Sequence, residues 1–431
     1  MNNMKLITLS LVAVSALSLT GCGGESSSAP TPTPAAPICD ASMTLLDSTI
    51  SSNLTLDASK TYGMTGKVSV KSGATLTIPA GTTIAGCTAS SFMVIEPGAK
   101  IDANGTMANP IVFTSQKDVL GQSQANVAGE WGGLVLAGKA YTHYSNNTYE
   151  ADPTVSYGSS THANDNDNSG VLNYVVIKHS GYEVEKDKEL NGLSLAGVGS
   201  GTTITNVAVI GGLDDGMEIW GGTVNITGLY IYNAQDDSVD TDLGYRGTIT
   251  NVLVRQVNVD NANNHDSAGM EFGNDHNTIL TTDANATQPH MVNYTAYVKG
   301  GGISLKYDAG LIAENVKFIS NKTVDEQQVF YRGADVVDTH AVQVNGCISF
   351  KDTQMTLGDN NTTYSATNSK DASTTKTAFT DWASATRNIV LGSAGSINVD
   401  STTCNGVTEA NIWKGTAGSN AALETDPNAV Q

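Results

Sequence analysis

The sequence predicts an all-β solenoid, a parallel β-helix with loop insertions, and three observations lead to it. One series of alternating apolar pairs, Val175/Ile177, Val207/Val209, Leu229/Ile231 and Val252/Val254, recurs at steps of 32, 22 and 23 residues. A second series, Leu193/Leu195, Met217/Ile219, Val239/Thr241, Met270/Phe272 and Ile303/Leu305, recurs at steps of 24, 22, 31 and 33. Glycine is abundant at 44 residues and aromatic residues are only 6% of the chain, a composition of turns and short strands more than of helices. Each pair is the inward half of a strand with period two, bounded by Gly, Asn or Asp. A coil of about 22 residues with two such strands buries its apolar face only by stacking on its neighbours. The longer steps are then coils that carry a loop of about ten extra residues.

In chain order, residues 1–21 of "MNNMKLITLSLVAVSALSLTGC" have a short basic start, an apolar run and a small-residue end, the pattern of an export signal. Leu19-Thr20-Gly21-Cys22 resembles the lipobox of bacterial lipoproteins. That resemblance implies that Cys22 is acylated and opens the mature chain. Gly23, in place of Asp after that cysteine, implies an outer-membrane lipoprotein of the bacterial cell envelope, periplasmic or surface-exposed. Residues 22–37 are rich in Pro, Ser and Thr and read as an extended tether. No later segment reaches the roughly 18 apolar residues of a spanning helix, so the lipid is the expected membrane attachment.

Residues 38–414 are the expected β-helix domain. Two stretches interrupt its alternation: a polar, Tyr-rich loop near 140–170, expected to lie over one face, and a second near 351–387, with at most a short helix around "FTDWASATR". Residues 415–431 read as a tail that frays or covers the last coil. Cys39, Cys87, Cys347 and Cys404 are even in number in an exported chain, which predicts two disulfides. Proximity favours Cys39 with Cys87 and Cys347 with Cys404, and the other pairings stay open. The formal net charge of −20 repels phosphate backbones, so nucleic acid is excluded as a partner, while cations are attracted. Nothing in the sequence names a protein partner.

The stretches "GATLTIPAGTTIAGC", "SFMVIEPGAKIDANGTMANPIVFTS" and "GEWGGLVLAG" resemble the first coils of bacterial right-handed β-helix proteins of the pectin-lyase-like fold. The resemblance extends from about Leu54 to Cys347. It implies fold more than activity, because this architecture carries lyases, hydrolases, adhesins and passive surface lipoproteins alike.

Alternation places acids on the outside. With Met217 and Ile219 inward, Glu218 and Trp220 point out, and by the same count so do Asp240, Asp242, Glu271, Ser304 and Lys306. Carboxylates in file on coils about 4.8 Å apart repel one another unless something neutralises them. Glu218, Asp240, Asp242 and Glu271 are therefore candidate Ca²⁺ ligands, oxygen donors suited to a hard cation, or holders of a shared proton. The pairs Asp214/Asp215 and Asp236/Asp237 enter these strands from the turns, where Asp bonds its own backbone as a structural residue. Trp220 beside the acids offers a ring for stacking a sugar or for covering a loop, and Lys306 a cation for a glycan.

These same stretches resemble polygalacturonases, whose coils carry Asn-Thr-Asp-Gly, then Asp-Asp, Gly-His-Gly and Arg-Ile-Lys. "LDDGMEI" and "AQDDSVDTD" put Asp215, Asp236 and Asp237 at the three acidic, catalytic positions that the resemblance implies. "SAGMEFG" has Ala268 in place of the histidine, and "SLK" has Ser304 in place of the arginine and keeps Lys306. Glycoside inversion needs an acid, a base and groups that hold the sugar, so half the set is absent. Pectate-type lyases of this fold use Ca²⁺ and a basic residue, for which Arg246, Arg255 and Lys306 are candidates.

Weaker patterns complete the reading. "DNDNSG", Asp165 to Gly170, resembles the opening of a calcium loop, yet Val176 stands where its last glutamate belongs. The histidines show no metal-ligand spacing. The expectation is an exported, lipid-anchored β-helix protein that binds cations or a polysaccharide, or is structural, without catalysis. The alternative is a polysaccharide hydrolase or lyase acting on an acidic glycan.

Overall fold

The computed structural model describes the chain from Ile38 to Gly415, apart from residues 125–126, 146, 187, 258–266, 275–284, 300, 307–308, 321–327, 333–341, 345–346, 352–354, 360–361, 367–388, 392–395, 399–403 and 408–411. The expected signal peptide, Cys22, the tether and the tail lie outside the described residues. Among those described, no helix is long and apolar enough to cross a membrane.

The two apolar series form two sheets of 17 and 12 strands, and coil stacks on coil in parallel register throughout the helix body. In the first sheet Val175, Val207, Leu229 and Val252 lie in one row, which continues through Tyr294 and Val316. In the second, Leu193 pairs with Met217 and Met217 with Val239, while Met270 pairs with Ile303. All of these residues are buried in one continuous core, where each Val, Leu or Ile contributes about 1.5–3 kcal/mol relative to exposure. The architecture is the right-handed parallel β-helix that the sequence predicts.

A left-handed residue recurs at one shared place in the long strands of the first sheet and bends them. Asn206, Asn251, Asn293 and Asn315 have φ of 51°, 57°, 53° and 61°, and Gly228 holds the equivalent place at 77°. Asparagine tolerates this region because its short side chain bonds locally. Here those side chains bond from coil to coil: Asn293 Nδ2 donates to Asn251 Oδ1 at 3.0 Å, and Asn315 Nδ2 to Asn293 Oδ1 at 2.7 Å.

The loop near 140–170 does lie over one face, but it is more ordered than a polar loop. Asn147–Tyr149 and Asp152–Tyr157 pair as an antiparallel hairpin. The hairpin buries Tyr149, Val155 and Tyr157 against Val94, Val135, Ala137, Ala196 and Trp220 on the outer face of the second sheet. The hairpin thus shields apolar residues that the first coils would otherwise expose. The 32-residue step contains a second hairpin, Tyr182–Glu185 with Lys188–Leu190. The stretch near 351–387 also departs from a plain loop, since Met355–Asp359 and Thr362–Ala366 pair antiparallel at its start. The expected short helix there lies outside the described residues. Cys39 and Cys87 form a disulfide with Cα atoms 5.2 Å apart. Cys404 is disulfide-bonded as well; of Cys347 only the backbone strand is described.

Candidate acidic site

The outward row of the second sheet changes chemistry along the helix axis. From coil to coil it runs Val94, Val135, Ser194, Glu218, Asp240, Glu271, Ser304. The first hairpin covers the apolar start, and the Tyr149 hydroxyl lies 3.0 Å from Ser194 Oγ at the boundary. The three acids then follow in consecutive coils, as alternation predicts.

Asp214 bonds its own turn, through the Asp215 amide, as expected of a turn aspartate, whereas Asp215 and Asp237 tie neighbouring coils together. Asp215 Oδ1 accepts from the Asp237 amide at 2.9 Å, one coil on, and Asp237 Oδ1 accepts from the Ala268 amide. Asn191 begins this ladder, because its Oδ1 accepts from the Asp215 amide at 3.0 Å while its Nδ2 donates to Glu218 Oε2 at 2.6 Å. Asn191 carries a signal in the sequence only once "NGL", "DGM" and "DSV" are aligned, which puts it in the same place in its coil.

The outward acids and the turn acids face a single cavity of about 240 Å³. Asp214, Asp215, Asp236 and Asp237 enter it from the turns, and Glu218, Asp240 and Glu271 from the strands. Glu150 and Glu189 reach it from the two hairpins. Among the described residues Lys306 is the single cation in the lining, 2.5 Å from Glu271 Oε1. Nine carboxylates thus share a partly enclosed space with one ammonium.

Burial pushes Asp214, Asp215, Glu218, Asp237 and Asp240 well above the usual carboxylate range, and neighbouring carboxylates push further in the same direction. Glu150 is pushed up to about 8 by burial and by Glu189 and Asp242. Burial alone would lower Lys306, but Glu271 outweighs it and holds the ammonium charged. Three overlapping triplets bring carboxylate oxygens within 4.8 Å of one another: Asp214/Asp215/Asp236, Asp215/Glu218/Asp240 and Asp237/Asp240/Glu271. Glu271 Oε2 is buried with no hydrogen-bond partner. An all-oxygen donor set with an orphaned, buried carboxylate oxygen fits a hard cation.

Candidate catalytic residues Asp215, Asp236 and Asp237 therefore lie in the same cluster as candidate ligands Glu218, Asp240 and Glu271. Asp242 does not join them; it pairs across the sheet with Trp220 and lines a neighbouring cavity. Trp220 points outward as expected but is no open platform. It is 7% exposed, with Tyr149 packed edge-on at 5.4 Å between ring centroids. Of the three basic candidates only Lys306 lines the acidic cavity. Arg246 donates to Gln288 Oε1 and the Ala286 carbonyl, and Arg255 lies over the Tyr297 ring on the first sheet. The polygalacturonase positions held by Ala268 and Ser304 are both buried on this sheet.

The 165–170 loop is used by the chain itself. Asp165 Oδ1 accepts from the Tyr141 amide, its Oδ2 pairs with His162, and Asn168 Oδ1 accepts from the Gly170 amide. Among the described histidines, none lines the acidic cavity. Glu150 and Glu189 carried no signal in the sequence, because both sit on insertions outside the repeat and only the folded chain brings them to the acids.

With this geometry in view, the family model described as a pectate-lyase-like β-helix domain matches residues 48–388. No curated protein and no solved structure matches the chain. The match spans most of the coils described above, and the chain belongs to the pectate-lyase-like β-helix domain family.

Proposed function

We propose that this chain is a cation-binding β-helix protein of the bacterial cell envelope, anchored by a lipid on Cys22, whose acidic cavity holds Ca²⁺. The observation that carries this reading is the set of three overlapping carboxylate triplets lined up across consecutive coils. Asp215, Glu218, Asp237, Asp240 and Glu271 would hold the ion, which when bound neutralises the file and stiffens the sheet. An acidic glycan finds only Lys306 as a cation here, and Lys306 already faces Glu271. Such a glycan is held through bound cations or not at all. The lipobox pattern and the tether support the envelope location.

A second reading, polysaccharide hydrolysis or elimination, has one observation in its favour: Asp215, Asp236 and Asp237 converge on the cavity with Asp215 and Asp237 raised, as a general acid requires. Two features weigh against it. Asp215 and Asp237 each commit an oxygen to a backbone amide, and a Lys306 held charged by Glu271 is a poor proton abstractor.

Thermal unfolding of the full chain separates these readings from a purely structural one. Saturating Ca²⁺ raises Tm over chelator, with a stabilisation of about 2.7 kcal/mol at a hundredfold excess over Kd. An equal Tm in both buffers removes the cation reading. Incubation with acidic and neutral polysaccharides tests the second: new reducing ends or unsaturated products, abolished by Asp237→Asn in a folded protein, would promote it over the first.

A further inference from the structure

A second cavity of about 260 Å³ adjoins the acidic one and shares Glu150 with it. Its chemistry differs. Tyr144, Tyr157 and Trp220 supply aromatic surface, Leu243 an aliphatic edge, and Glu150 and Asp242 two carboxylates. Among the described residues no Lys, Arg or His lines it. The cavity is built between the first hairpin and the outer face of the second sheet, so its walls come from a packed core and not from a loose surface loop.

Two of its aromatic residues are more than nine-tenths buried yet border space: Tyr157 is 6% exposed and Trp220 7%. Neither the Tyr157 hydroxyl nor the Trp220 indole N–H makes a hydrogen bond among the described residues, and neither atom is sealed from the cavity. Both polar atoms open onto the cavity, where a ligand or the water it displaces can meet them.

The lining selects among ligands. A bare divalent ion finds two carboxylates here, against nine in the neighbouring cavity, and aromatic rings supply no ligand oxygen. An anion is repelled by both acids. An organic ammonium meets each wall with its complement: carboxylates attract its charge, and ring faces attract the same charge while packing its alkyl groups. The volume falls below that of a drug-sized site, which limits the ligand to a few non-hydrogen atoms.

We propose that this second cavity binds a small organic ammonium ion, its charge set against Glu150 and Asp242 and its alkyl groups against Tyr144, Tyr157 and Trp220. The proposal does not depend on calcium in the adjoining cavity.

Tetramethylammonium chloride is the probe. It is titrated calorimetrically into the full chain in chelator at pH 9, above the value of about 8 to which Glu150 is pushed, with ionic strength held by sodium chloride, and methyl glucoside is titrated in parallel. One saturable site for tetramethylammonium is expected. Tyr144→Ala weakens it about five- to tenfold, the scale of a partly exposed cation–π contact, Tyr144→Phe retains it, and Glu150→Gln weakens it at least as much as the alanine. Tyr144 is only half-buried, so its variants test the ring without emptying the core. Absence of saturable heat overturns the proposal. So does binding that is indifferent to Tyr144→Ala, which would place the probe among the carboxylates alone, or binding of methyl glucoside in its stead, which would make the cavity a sugar site.

Discussion

Glu150 occupies the turn of an inserted hairpin, where a glutamate would ordinarily be solvated, yet it faces Glu189 and Asp242 in a buried space and is pushed up to about 8. The folded chain therefore holds this proton more tightly than the unfolded chain, whose ordinary value is 4.5. The stability it contributes is fully present below about pH 4.5 and is lost as pH rises to about 8. In chelator, Tm should fall across that window, by an amount on the order of a few kcal/mol in stability, and Glu150→Gln should flatten the fall. Asp118 works in the opposite direction. Burial would raise it, but the nearby His179 imidazole and hydrogen bonds from Lys178 and Thr114 outweigh burial and hold it well below the usual range. Its contribution is present above about pH 4 and is lost as pH falls further. A melting curve that is flat from pH 4.5 to 8 in chelator would contradict the account of Glu150.

At the scale of elements, the left-handed asparagines turn each coil of the first sheet, and their ladder ties neighbouring turns. Asn293→Ala puts a Cβ without a compensating side-chain bond at φ 53° and removes bonds to Asn251 and Asn315. It should cost about 1–3 kcal/mol, read as a fall in denaturation midpoint; Asn293→Gly should cost less, as Gly228 already fills the equivalent place. A midpoint unchanged by Asn293→Ala would contradict a stabilising ladder. The strands themselves were legible in the sequence because Val207, Leu229 and Val252 repeat with period two inside a period near 22 residues. The hairpin at Asn147–Tyr157 was not, because its inward residues, Tyr149, Val155 and Tyr157, pack on the outside of another sheet and follow no repeat. The same cause hid the burial of Trp220: alternation assigns a side chain to a face but says nothing of what an insertion lays over it. Tyr149→Ala should accordingly expose Trp220 to a soluble quencher and cost about 3–5 kcal/mol. Quenching equal to that of the unaltered chain would argue against the hairpin's seat on the sheet.

Taken as a whole, the molecule stacks coils so that acids distant in sequence become neighbours, and its net charge of −20 leaves little cation to relieve them. The outward file of Glu218, Asp240 and Glu271 could be read from parity alone. Its fusion with the turn aspartates and with Glu150 and Glu189 could not, since turn depth and hairpin placement are not encoded in a period. At the start of the described coils the Cys39–Cys87 disulfide closes a separation of 48 residues, and replacing both cysteines by alanine should cost about 2–4 kcal/mol. An unchanged denaturation midpoint would contradict that contribution.

The central claim is that the acidic cavity holds cations, and calorimetric titration of Ca²⁺ into the full chain and into Asp240→Asn tests it most directly. Asp240 belongs to two of the three triplets, while its side chain points away from the core. Saturable binding by the unaltered chain, weakened at least tenfold in a variant that still melts cooperatively, is the predicted result. No saturable binding, or equal binding by both proteins, would contradict the account and leave the carboxylates to share protons.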